Sequence, residues 1–282
     1  MTSTPHRIEI PRFPGGKRIA FTTSWDDGTV YDRWVVKAFN AWGLKGTFNL
    51  NSGRLGRSGV PLPDEAHGGL LDACEVAALF AGHEVALHSV THPSLAMLSP
   101  AQIAYEVLDD QKALEDLVGY PVRGLAYPNG SYDARVIAIL RSLGIVYART
   151  VENTMPCFPL AEPLAWSSTM HQFAGNPPLP QRFTEYYENK WSNGVFYVWG
   201  HSYEFADADA AHTLEALFQP VAGKPDVWYC SNIEIFDYEA ARQRLVVAAN
   251  QRTVFNPSAL AVTIKMDGVL MEVAGGAVHQ VA

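Results

Sequence analysis

Hydrophobic and polar positions along the chain switch repeatedly between a two-residue and a 3.6-residue period. Residues 18–25 form a β-rich run. The following stretch, 30–42, carries Trp34, Val35, Ala38, Phe39 and Trp42 at helical spacing and stops at Gly43. Strands are predicted again at 45–51, 84–87, 123–127 and 145–149, with helices at 72–81, 99–118 and 133–143. The helix from 99 opens with Ser99 as cap, Pro100 at the first helical position and Gln102 completing a capping box. A loop bearing Gly53, Gly56, Gly59, Pro61 and Pro63 is long enough to be functional. Residues 152–180 read as irregular and proline-rich, with a short strand at 164–168. A helix at 181–191, a strand at 195–199, a helix at 208–219, a strand at 227–231 and a helix at 237–249 complete the alternation. Near the end, Asp267-Gly268 between two β-rich runs predicts a hairpin.

About eight strand candidates, most followed by helices, predict a parallel sheet with helical crossovers. The expected architecture is a parallel sheet closed or nearly closed into a barrel, with a small C-terminal β appendage. Its expected boundaries are a lead at 1–17, the barrel at 18–249 and a β extension at 250–282. No G-x-G-x-x-G follows the first strand, which disfavours a dinucleotide-binding doubly wound sheet.

Composition narrows the partners. The 282 residues are 48% hydrophobic, enough for a large core, and only 18% charged, with a net charge of −8. There is no Lys/Arg block, so nucleic acid and anionic membrane surfaces are not expected partners. Cys74, Cys157 and Cys230 are widely spaced and odd in number, which predicts buried free thiols rather than a disulfide framework. The N-terminus lacks the basic start and apolar run of a signal peptide, and no apolar stretch is long enough to span a bilayer. A cytoplasmic location is the expectation.

Candidate chemistry gathers at strand ends. Asp26 and Asp27 close the first strand before Gly28, which permits a sharp turn. His88 and His92 leave another strand, the 127–130 turn follows a third, and His201 follows the apolar run 195–199. In a barrel of parallel strands these C-terminal ends share one mouth. Two histidines and a carboxylate are a common ligand set for a catalytic divalent metal. Taken alone, the His-x-x-x-His spacing suits two ordinary polar histidines better than a metal site; the carboxylate pair at the same mouth shifts the balance.

Together, Ser24-Trp25-Asp26-Asp27-Gly28, His88-Ser-Val-Thr-His92, Ala126-Tyr127-Pro128-Asn129-Gly130 and His201 resemble the ordered motifs of the polysaccharide deacetylase family, the NodB-homology domain. The resemblance spans roughly residues 17–240. It implies a deformed (β/α) barrel of about seven or eight parallel strands, and removal of an acyl group, usually N-acetyl, from a sugar by a metal-dependent hydrolase of linear amides. Carried over by position, Asp27, His88 and His92 would hold one divalent ion, most often zinc. Asp26 would be the general base and His201 the general acid. Tyr127 and Asn129 would line the substrate and oxyanion side, through the backbone N–H of Asn129. Trp166 or Trp199 would line the sugar groove, and Glu204 or Glu234 would accompany His201.

The pattern also departs from the family. Ala126 stands where an arginine usually holds the base, and Arg123 is the nearby candidate to replace it. Asn129 stands where many members have Tyr, and 199–205 differs from the ending expected of polymer-degrading members. His171 either reaches the mouth or is solvated. Three readings therefore compete: a deacylase of acetamido sugars or glycans, a C–N hydrolase for a small cyclic amide or ureide, and a non-catalytic carbohydrate-binding domain.

Overall fold

The computed structural model describes residues 7–56, 68–155, 158–206 and 209–280. Its elements run β1 (Ile8–Glu9), β2 (Ile19–Asp26), α1 (Asp32–Trp42), β3 (Thr47–Leu50), α2 (Val76–Leu79), β4 (Glu84–Leu87), α3 (Pro100–Val118) and β5 (Gly124–Ala126). They continue with α4 (Ala134–Ser142), β6 (Tyr147–Asn153), β7 (Trp166–Ser168), β8 (Met170–His171), α5 (Leu179–Glu188), β9 (Gly194–His201), α6 (Ala210–Phe218), β10 (Val227–Tyr229) and α7 (Asn232–Gln243). Five short strands follow: β11 (Val246–Val247), β12 (Thr253–Phe255), β13 (Val262–Met266), β14 (Val269–Val273) and β15 (Val278–Gln280).

All pairings from β2 to β10 are parallel, in the order β7-β6-β5-β4-β3-β2-β9-β8. The two ends of that order are joined through Thr169 alone. β7 pairs with β6, β8 pairs with β9, and the Thr169 N–H donates to the Tyr197 carbonyl at 2.8 Å. The sheet thus returns to its own start. One edge of β2 is shared, with β10 along 19–21 and β3 along 24–26. A deformed parallel α/β ring matches the sequence expectation.

Strand alternation sorts the side chains into two sets. Phe21, Trp25, Phe48, Val85, Leu125, Phe196 and Val198 pack into the large apolar cluster shared with the helices. Their strand neighbours face the other way, and many are polar: Thr22, Ser24 and Asp26; Thr47 and Asn49; Glu84; Arg149. Tyr147, Trp166 and Tyr197 fill the space among them. Gly124 makes that possible, because a Cβ there would sit 2.1 Å from the Tyr147 ring.

At the base of this interior, Glu84 accepts hydrogen bonds from the Tyr147 hydroxyl (2.6 Å), the Thr47 hydroxyl (2.8 Å) and the Ile233 N–H (2.8 Å). Burial outweighs these donors and pushes the Glu84 carboxyl up to about 7. The folded chain therefore binds this proton more tightly than the unfolded chain. The resulting stabilisation is complete below the unfolded pKa and is lost as pH rises through about 7. Asp110, also pushed up to about 7 by burial, adds to the same slope. The urea midpoint of the protein should fall between pH 5 and pH 8, and that of Glu84→Gln should fall less. Equal falls in the two proteins would contradict this account.

Several predicted elements move. The helix expected at 72–81 is a 3₁₀ turn followed by the four-residue α2. The helix expected at 237–249 begins five residues earlier because Ser231 and Glu234 form a capping box, and Val246–Val247 become β11. The predicted C-terminal hairpin is β13–β14, with Asp267 and Gly268 at its turn. It is joined by β1 from the N-terminal lead, while β11, β12 and β15 form a second small sheet. Cys230 is a buried free thiol, but Cys74 is exposed; Cys157 and the 59–63 part of the loop lie outside the described residues. No helix among the described residues is long and apolar enough to cross a membrane.

Candidate active site

Asp26 is the last residue of β2, and its register partners are Asn49 on β3 and His201 on β9. The next residue, Asp27, takes a left-handed backbone (φ 79°), as do Ser89, His92 and Asn129 at neighbouring strand ends. Left-handed non-glycine residues cost about 1–2 kcal/mol each. Their concentration at this mouth marks it as the place where the fold stores strain.

Asp27 Oδ1 is buried and makes no hydrogen bond. His92 Nε2 lies 3.5 Å from it and His88 Nε2 3.7 Å. The three ligating atoms lie within 4.8 Å of one another. Bonds of about 2.0–2.1 Å in a tetrahedral site bring ligand atoms to similar separations. The His88 Nδ1–H donates to the Ala126 carbonyl at 2.8 Å, which leaves Nε2 with its lone pair turned to Asp27. Burial, then the neighbouring His88, hold His92 down at about 4, so it is neutral at physiological pH. An orphaned carboxylate oxygen facing two histidine nitrogens fits a divalent cation. Arg54 stands behind, its Nη1 3.7 Å from Asp27 Oδ1.

Helix α3 braces the loop that carries both histidines. Asp110 accepts from the His88 N–H (3.1 Å) and the Ser52 N–H (2.8 Å), and Glu106, one turn earlier, accepts from the Thr91 N–H and hydroxyl (2.8 and 2.6 Å). Asn51 donates to the carbonyls of His88 and Ser89. Sequence reasoning missed the two α3 braces because acidic residues on a long helix read as its solvated face, and it read Asn51 only as a strand end.

The arginine is present, but on the next strand. Ala126 on β5 and Arg149 on β6 are direct register partners, and the Arg149 guanidinium donates to Asp26 Oδ2. Asn49 donates to Asp26 Oδ1 at 2.8 Å. Burial alone would raise the Asp26 carboxyl; Arg149, then His88 and His201, outweigh it and hold it at about 2. The Trp199 ring covers the guanidinium, 4.4 Å from its centre. Arg123 does not replace it: that side chain reaches Asp237 at 2.7 Å, on an element remote from Asp26.

His201 Nε2 lies 4.0 Å from Asp26 Oδ2, and its Nδ1 meets Glu204 Oε1 at 3.0 Å. Burial would lower the His201 pKa, but the Glu204 hydrogen bond, Asp26 and Asp27 raise it. Glu234 is elsewhere, capping α7 and pairing with Lys45. His171 reaches the mouth beside Glu204, at 3.3 Å.

These groups surround a cavity of about 650 Å³ lined by Asp26, Asp27, His88, His92 and His201, with Arg54, Thr91, Tyr127, Asn129, Val151, Trp199 and Tyr203 around them. Of the aromatic residues expected on the groove, Trp199 borders it and Trp166 does not. Trp166 is fully buried among Tyr147, Tyr197 and Phe236, inside the ring. Tyr127 is also nearly enclosed, its hydroxyl donating to the Leu164 carbonyl at 2.8 Å.

Residues 14–148 match the family model described as polysaccharide deacetylase, a stretch that contains Asp26, Asp27, His88, His92 and the 127–130 turn. This stretch, just under half of the chain, resembles the polysaccharide deacetylase family. Among solved structures, a Mycobacterium smegmatis protein assigned to the polysaccharide deacetylases is similar, with a TM-score of 0.60 at 16% identity, covering 82% of this chain and 93% of that one. A Clostridium thermocellum family 4 acetyl xylan esterase, solved with a cobalt ion, has a TM-score of 0.50 at 14% identity, covering 77% and 89%. At such identities these structures support the fold alone. No curated protein matches the chain. Arg149 lies opposite Ala126 across the β5–β6 ladder and brings a guanidinium to Asp26 from β6.

Proposed function

We propose that the protein is a metal-dependent hydrolase that removes an N-acetyl or other acyl group from an amino sugar or short glycan. The observation that carries this reading is the pairing of two adjacent carboxylates with opposite surroundings. Asp26 is pinned by Arg149 and Asn49, while Asp27 leaves an unbonded oxygen toward His88 and His92.

In this reading Asp27, His88 and His92 hold one divalent cation, zinc by preference for such a ligand set. When bound, it supplies Lewis acidity toward the amide carbonyl and lowers the pKa of a coordinated water. Asp26, kept ionised across physiological pH, accepts the proton of the attacking water. His201, favoured in its protonated form by Glu204, donates to the departing amine. The backbone N–H of Asn129 faces the developing oxyanion, held by the Pro128–Gly130 turn. Trp199 offers an aromatic border to a sugar ring.

The second reading, hydrolysis of a small cyclic amide or ureide, is equally compatible with the cavity. About 650 Å³ suits a compact ligand of one or two rings. A screen of N-acetylglucosamine, its β-1,4 oligomers and cyclic amides, with zinc or cobalt supplied, separates the readings. Acetate release from the sugars is the expected result. Ring opening of cyclic amides without acetate release would move the assignment to the second reading.

A further inference from the structure

The chemistry proposed above leaves two side chains at the end of β8 without a task. His171 and Gln172 both reach Glu204. Gln172 Nε2 donates to Glu204 Oε2 at 2.7 Å and to the His201 carbonyl at 2.9 Å. His171 Nε2 lies 3.3 Å from the same carboxylate oxygen. The Phe173 N–H donates to His171 Nδ1 at 3.3 Å, so Nδ1 carries the lone pair and Nε2 carries the proton that faces Glu204.

Glu204 Oε1 is then left for His201 Nδ1, at 3.0 Å. An ionised carboxylate only accepts, so His201 carries a proton on Nδ1 and turns Nε2 toward Asp26. Although burial opposes it, hydrogen bonds from His171 and His201 hold the Glu204 carboxyl at about 2. His171, His201 and Glu204 also have the composition of a cation site. The tautomer argues against that use. A metal-bound imidazole donates through its free nitrogen, whereas His171 Nδ1 accepts from a backbone N–H.

Gly200 supplies an independent sign that this support is built in. A Cβ at Gly200 would lie 2.2 Å from Gln172 Oε1 and 2.4 Å from its Cδ. A side chain between Trp199 and His201 would therefore push Gln172 off its path to Glu204.

We infer that His171 and Gln172 are positioning residues: they hold Glu204, and Glu204 holds the His201 imidazole with Nε2 toward the reacting atoms. The catalytic part of this inference rests on the role proposed for His201. The hydrogen-bond coupling itself can be read without turnover.

The test uses zinc-loaded full-length protein labelled with ¹⁵N-histidine. In the wild type, His201 should keep a slowly exchanging Nδ1 proton. His171→Phe keeps a ring against Trp199 but removes the donor to Glu204. It should speed exchange of the His201 Nδ1 proton and lower kcat by on the order of 10- to 100-fold, with KM little changed. His171→Gln restores a donor and should recover both signals, while Gly200→Ala should reproduce the loss from the other strand. Unchanged His201 spectra and kcat in both His171→Phe and Gly200→Ala would overturn the inference. If no acyl substrate is ever turned over, the functional reading fails, and the exchange measurement still decides whether the coupling exists.

Discussion

Arg149→Met is expected to lose about 3–5 kcal/mol of stability at pH 7, because it leaves the Asp26 carboxylate buried without its cation. Asp26 should also gain protons more readily. Its folded pKa of about 2 lies below the ordinary carboxylate value of 3.8, so its contribution is present above the unfolded pKa and is lost as pH falls through about 2. In the variant that contribution disappears, and the difference from wild type in urea unfolding should shrink toward pH 3. The register gives a specific rescue. Ala126 lies directly opposite Arg149, so Ala126→Arg combined with Arg149→Ala returns the guanidinium to the family's usual strand at the same level. The double variant should recover part of the stability and of any hydrolytic activity. Equal instability of Arg149→Met and the double variant would mean that the guanidinium cannot be moved across the ladder.

The second large effect concerns the metal. Changing His88 and His92 together to Ala should reduce bound zinc from about one equivalent per chain to background, as measured by elemental analysis after dialysis. The fold should persist, because the loop is also tied by Asn51, Glu106 and Asp110 through backbone groups that Ala retains. Asp110→Asn, by contrast, should weaken zinc binding without abolishing it, since it loosens the backbone at His88 and Ser52 but leaves the ligand side chains in place. A full equivalent of zinc in the double-alanine variant would remove Asp27, His88 and His92 as its ligands.

The ring of strands was legible because two-residue alternation and helical periodicity leave strong, separable signals. The mouth was legible because parallel strands send their C-terminal ends to one side. Arg149 was missed for a local reason: the eye follows the motif position, Ala126, rather than its partner across a ladder that sequence does not display. The alternation of Tyr147 and Arg149 was the available sign that Arg149 points inward. Of the two tryptophans expected as alternatives on the groove, Trp166 has a strand phase that sets it beside Tyr147 and Tyr197 in the interior. Glu204 was legible as a candidate partner of His201, and the 3₁₀ turn between them brings the two together where Glu234 caps α7 instead. The α3 carboxylates could not be read, since only the packed structure distinguishes a brace from a solvated face.

The most direct measurement is acetate release from N-acetylglucosamine oligomers by protein stripped with a chelator and titrated with zinc. Activity should be absent in the stripped protein and reach its maximum near one equivalent. Asp26→Asn should bind the same equivalent yet turn over about 10²- to 10⁴-fold more slowly. Acetate release by the stripped protein, or full activity in Asp26→Asn, would contradict the account.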